Sequence, residues 1–228
     1  MRNPYKLVTL HSPGWAAFDA ATLLISVGQP YHEGDKFAAT VEWAARHFKR
    51  LHILVADTLQ RHNETADWFA RGSAWIERNR AAWVACQRQV TVSRWNDWIF
   101  KPEFPDILEQ FRKAANGKLL HTAITQDVTN FAARQVAKGV SPRVEQSREY
   151  LLEELAAITL QARAVASARI YPGPELASFR AVAKGLVPDA PSGLERHYHT
   201  VIDFKRRPLP QEAKAPVTAS KPARLRIA

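Results

Sequence analysis

Two nearly unbroken apolar runs, one on either side of a helical pattern, limit the fold more than any other feature of this chain. Residues 21–27 (ATLLISV) break at Gly28 and Pro30, and residues 51–56 (LHILVA) stop at Asp57. Between them, over 33–50, Phe37, Val41, Ala44, Ala45 and Phe48 recur at helical spacing. A strand that is apolar on both faces must be covered on both faces. The unit therefore predicts a parallel strand pair with a covering helix.

The same pattern continues. Residues 64–88 read as a second helix, with Trp68 and Trp75 seven apart, and 89–95 as a third strand. Helices are expected over 106–115, 121–138 and 142–166. The last of these would start with Ser141 as N-cap, Pro142 at the first helical position and Glu145 in the first turn. A short segment, 168–171, stops at Pro172; a helix over 174–184 and a strand over 195–204 follow. Buried strands alternating with helices predict an α/β class: a single Rossmann-like domain with a parallel sheet, spanning 1–204. From Lys205 to 228 the chain is basic and rich in Pro and Ala, and is expected to be a disordered tail.

No apolar run is long enough to span a bilayer, and the first residues lack the apolar core of a signal peptide. With one cysteine, Cys86, no internal disulfide is possible, and the cytoplasm is the expected location. Cys86 itself reads as a small buried residue. His197 and His199 fall on one face of the last strand, but no third ligand accompanies them, and no metal site is expected.

The formal net charge is +10. From Lys205 onward seven basic residues face one acid, leaving +4 on the domain. An excess of this sign favours a polyanionic partner. The glycine-rich dinucleotide turn and the phosphate-binding Walker loop are both absent, as are the His and Lys signatures of class I aminoacyl-tRNA synthetases. ATP chemistry and cofactors therefore have no support in the sequence.

Ser26 stands where the first apolar run breaks, at the end of a parallel strand where ligand crevices form. It is a candidate nucleophile, or a turn residue. A nucleophile elbow is only half matched, with Gly28 present but Leu24 at the first glycine position. Tyr150 and Glu154 are one helical turn apart on one face, beside Leu151, Leu155 and Ile158. They can hold an ammonium group, or be a core tyrosine beside a surface glutamate.

Three features stand in order: Ile25-Ser26-Val27-Gly28, then Tyr150 to Glu154, then Ile170-Tyr171-Pro172. Together with the stretch from Trp43 through Leu51 to Thr58, they resemble the cyclodipeptide synthases over about residues 15–205. Pro172 after the tyrosine, and Gln29 three residues after Ser26, resemble the branch in which tyrosine precedes proline. The resemblance implies a Rossmann-like fold similar to class I tyrosyl- and tryptophanyl-tRNA synthetases, acting without ATP on two aminoacyl-tRNAs. It implies that Ser26 receives the first aminoacyl group and that Tyr150 and Glu154 hold its α-amino group. Tyr171 would serve later proton transfers. Leu24, Gly28 and Gln29 would line the substrate pocket. Leu24 stands where the family commonly has glycine, so a small first residue is expected. Arg71 and Arg78 share a helix face, with Arg61 before the helix and Arg80 and Arg88 elsewhere on it. All five are candidates for the tRNA backbone. A monomer is expected. The rival readings are a serine acyl-hydrolase and a non-catalytic tRNA-binding protein.

Overall fold

The computed structural model describes residues 3–11, 17–194 and 201–206. Strands β1 (Tyr5–His11) and β2 (Ala20–Ser26) are followed by helix α1 (Gly34–His47), β3 (Arg50–Ala56), α2 (Trp68–Val84) and β4 (Gln89–Arg94). Helices α3 (Asn96–Ile99), α4 (Phe104–Ala114), α5 (Lys118–Ala137) and α6 (Val144–Ala164) come next. The chain continues through β5 (Ala168–Ile170), α7 (Ala177–Ala183) and β6 (Val201–Arg206).

The expected parallel sheet is present. Its four strands lie in the order β4-β3-β2-β5, every pair parallel. Alternation along each strand divides the core in two. Leu23, Ile25, Ile53 and Val55 pack with Phe37 and Val41 of α1 and Trp75 and Trp83 of α2. Leu54 and Ala56 pack on the other face with α4, α5 and α6. Leu24 joins that second face, and Ser26, two residues on, points the same way.

From β2 the chain steps outward to β3 and β4, then returns through four helices to lay β5 on the far side of β2. The direction of strand succession therefore reverses between β2 and β5. A crevice opens at the carboxyl ends of the strands where such a reversal occurs.

Several boundaries differ from those expected. Helix α2 is shorter at both ends, so Arg88 lies beyond it, where its Nε–H donates to Ala45 O at 2.9 Å. Helix α6 begins at Val144, not at Pro142, and Ser141 is not its cap. Instead the Arg143 N–H donates to Gln135 Oε1 of α5 at 3.0 Å. Strand β1 was not anticipated. It pairs antiparallel with β6, which runs through Lys205 and Arg206, two residues expected in the tail. The predicted strand segment 195–200, His197 and His199, and the tail from 207 lie outside the described residues.

Candidate active site

Ser26 is the last residue of β2 and is buried. The chain then turns sharply: Gln29 N–H donates to Ser26 O at 3.2 Å, across Gly28 at φ 88°. A positive φ at the third position of such a turn is open to glycine and costly to other residues. A single helical turn, Pro30–His32, follows. Its His32 folds back so that Ser26 N–H donates to His32 Nδ1 at 2.8 Å. Trp75 of α2 donates its indole N–H to His32 O at 3.0 Å. Burial pushes the His32 imidazole down to about 3, so the ring is neutral at physiological pH. It supports the serine backbone and makes no bond to Ser26 Oγ.

Tyr171 immediately follows β5 and reaches the end of β2 from the other side of the strand reversal. Its Oη lies 3.5 Å from Ser26 Oγ and 3.1 Å from Tyr31 Oη. The Tyr31 and Tyr171 rings meet edge-on at 6.0 Å, and His32 packs edge-on against both.

Helix α6 packs on the sheet face that Leu24 shares with Leu54 and Ala56. Tyr150 is buried, with Phe131 of α5 and His62 packed edge-on against its ring. Burial, then the charge of Glu154, lifts its phenol well above the ordinary range. Glu154 is one turn further on and partly buried, and its Oε2 is sealed from solvent with no hydrogen-bond partner. Burial is the main cause that pushes its carboxyl up to about 8, with Asp127 adding to it and Arg169 opposing. Arg169 of β5 is buried beneath, donating to Ile158 O at 2.9 Å and Gln161 Oε1 at 2.6 Å. Gln161 in turn donates to Thr22 Oγ1 of β2 at 3.0 Å. A polar seam thus ties α6 to β2 and β5 below the crevice.

Ser26 and Tyr171 thus meet at the ends of β2 and β5, and Tyr150 and Glu154 of α6 lie close enough to act electrostatically on Tyr171. Leu24 faces the same side of the sheet as Ser26, with Gly28 and Gln29 in the turn beyond it. Tyr31, His32 and Arg169 were not anticipated. The sequence signal that could have found the first two is the turn after β2, where a parallel-sheet crevice draws its residues.

The arginines divide. Arg61 grips Glu153 through both guanidinium nitrogens and so ties the turn Thr58–His62 to α6. Arg71 pairs with Glu64 and Arg78 with Glu33 at 3.3 Å, all on the surface. Arg80 is exposed on α2. Among the described residues no group of three or more His, Cys, Asp or Glu side chains could hold a metal, and no helix is long and apolar enough to cross a membrane.

No protein-family model matches the sequence, and no curated protein matches it significantly. Solved structures do match. A cyclodipeptide synthase from Fluoribacter dumoffii superposes with a TM-score of 0.77 at 23% identity, over 90% of this chain and 100% of that one. A cyclodipeptide synthase from Candidatus Glomeribacter gigasporarum, solved bound to Phe-tRNAPhe, gives 0.52 at 19% identity, covering 86% of this chain and 92% of that one. A Mycobacterium tuberculosis protein whose structure relates cyclodipeptide synthetases to type I tRNA synthetases gives 0.58 at 12% identity, over 89% and 94% of the two chains. At these identities the likeness is one of fold. The chain has the Rossmann-like fold of the cyclodipeptide synthases.

Proposed function

We propose that this protein is a cyclodipeptide synthase that takes two aminoacyl-tRNAs and releases a cyclic dipeptide through an aminoacyl ester on Ser26. One observation carries the reading. At the strand reversal of this fold, Ser26 Oγ faces Tyr171 Oη at 3.5 Å, and Glu154 of α6, one turn from Tyr150, is close enough for its charge to act on Tyr171.

The chemistry follows from these groups. Ser26 Oγ attacks the ester carbonyl of the first aminoacyl-tRNA. The new carbonyl–Oγ bond forms, the bond to the terminal ribose oxygen breaks, and the serine proton ends on that oxygen. One ester replaces another, so no ATP is required. The vicinal ribose hydroxyl provides a path for the proton, and the protein need only position and shield the ester. Tyr150 and the Glu154 carboxylate hold the α-amino group of the bound residue. Burial raises the Glu154 carboxyl and so makes its carboxylate a stronger proton acceptor, which suits it to take the proton when the amine becomes the nucleophile. The freed amine attacks the second aminoacyl-tRNA. A peptide bond forms and the second ribose oxygen leaves with a proton. The new terminal amine then attacks the Ser26 ester, closing the ring and returning a hydrogen to Oγ.

The rival acyl-hydrolase needs a base on Ser26 Oγ. The histidine beside Ser26 spends its Nδ1 on the backbone, and this weighs against that reading. Leu24 on the face of Ser26 narrows the first pocket, which favours a small first residue such as alanine. The Tyr171-Pro172 pair and Gln29 favour the branch in which tyrosine precedes proline.

The test is mass spectrometry of the purified chain after incubation with one charged tRNA. A Ser26 peptide carrying one aminoacyl group is expected, formed more readily from Ala- than from Phe- or Leu-charged tRNA. Cells expressing the protein should release a diketopiperazine, and Ser26→Ala should abolish both signals while sparing tRNA binding. Label on another residue, or product from Ser26→Ala, overturns the reading.

A further inference from the structure

The reaction as set out leaves one hydroxyl of the crevice without a task. Tyr31 Oη lies 3.1 Å from Tyr171 Oη, which lies 3.5 Å from Ser26 Oγ. Three hydroxyls thus stand in series, with Tyr171 in the middle. The arrangement is held from both sides. The turn that carries Tyr31 is fixed by His32 N–H donating to Gln29 O at 2.9 Å and by the bonds of His32 to Ser26 and Trp75. On the other side, the bare backbone of Gly173 presses on the pair. A methyl group there would stand 2.9 Å from Tyr171 Cζ and 3.0 Å from Tyr31 Oη.

Ring closure needs a proton carried from nitrogen to Oγ, and Tyr171 Oη faces Ser26 Oγ on one side and Tyr31 Oη on the other. As the amine attacks the Ser26 ester, nitrogen must lose a proton and Oγ must gain one. Tyr171 can give its hydrogen to Oγ without becoming a phenolate only if its oxygen takes another in the same step, and the hydroxyl set beside it is that of Tyr31. Burial raises the pKa of both phenols and so penalises that ion. A second hydroxyl that refills the first removes the difficulty.

We propose that Tyr31 is the entry of a two-tyrosine proton relay that serves ring closure. The inference rests on the function proposed above. The C–N bond forms and the carbonyl–Oγ bond breaks. The amine proton passes to Tyr31 Oη, the Tyr31 hydrogen to Tyr171 Oη, and the Tyr171 hydrogen to Ser26 Oγ. Both phenols end as they began, and no charge is left in the crevice. The first acyl transfer does not use the chain, because there the serine proton leaves toward the ribose.

The experiment is Tyr31→Phe, which keeps the ring and its edge contacts and removes only the hydroxyl. With one charged tRNA, acylation of Ser26 should stay within about twofold of wild type. With both substrates, ring closure should slow by about 100-fold, the low end of what a positioned acid–base group contributes. Intact-mass measurement should then show a dipeptidyl ester accumulating on Ser26. The solvent deuterium effect on ring closure, curved against deuterium fraction in the wild type if several protons move together, should become linear. A packing role would move neither readout. Ring closure at the wild-type rate, or equal slowing of acylation and closure, overturns the relay. A wild-type enzyme that never acylates Ser26 overturns the function itself, and the relay with it.

Discussion

Glu153 and Glu154 are adjacent in the chain and opposite in environment. Burial alone would raise the Glu153 carboxyl, but bonds from His62, Arg61 and Trp95 outweigh it and hold it below the ordinary range. Glu154, one residue on, has no such donors, and burial pushes it up to about 8. The sequence gives no sign of this division, because the partners of Glu153 lie some 60 and 90 residues away. A raised carboxyl has a definite consequence for stability. Below its ordinary value of 4.5 both the folded and unfolded states are protonated. As pH rises from 4.5 toward 8, the unfolded chain releases the proton and the folded one retains it, so stability falls across that window. Glu154→Gln removes the titration. Its melting temperature should exceed that of the wild type at pH 8.5 by several degrees more than at pH 4.5. A gap that does not change with pH would mean the carboxyl is not raised.

At the scale of elements, the readable parts are those whose pattern is local. Strands β2 and β3 are near-continuous apolar runs, and α1 carries one apolar stripe; both were legible. Strand β1 was not, because it pairs with a strand almost 200 residues away. The start of α6 was misplaced because a side chain from α5, not Ser141, receives its first free N–H. Helix α2 keeps the tryptophans of its apolar stripe, Trp68, Trp75 and Trp83, buried, while Arg71 and Arg78 remain on its open side. Their carboxylate partners, Glu64 and Glu33, are surface groups, and such pairs are worth about 0–1 kcal/mol. A phosphate can therefore displace them. Replacing both arginines by alanine should weaken tRNA binding and flatten log K against log salt by about 1.4 to 1.8 in slope, for two phosphate contacts. An unchanged slope would mean that these arginines only solvate the helix.

For the whole molecule, the candidate site can be read as a set of residues and not as a place. Ser26, Tyr150, Glu154 and Tyr171 carry recognisable local patterns, but only the reversal of strand order brings β5 beside β2 and so Tyr171 to Ser26. Tyr31, His32 and Arg169 have no pattern of their own; they matter because of what the topology sets beside them. The same separation of parts predicts how the charge is used. Among the described residues, the groups of the candidate site lie between residues 24 and 173, and strand β6 spans Val201–Arg206. Residues 207–228 hold five basic side chains and one acid. A basic segment of this composition can add affinity for a polyanion. A chain ending at Arg206 should therefore acylate Ser26 at the full rate under saturating charged tRNA. At low ionic strength its apparent KM for tRNA should rise several-fold, and the difference should vanish as salt screens the tail's contacts. The rate at saturation separates the alternatives. If it falls with the truncation, the tail takes part in the reaction; if KM is unmoved at every salt concentration, tRNA affinity resides in the domain alone.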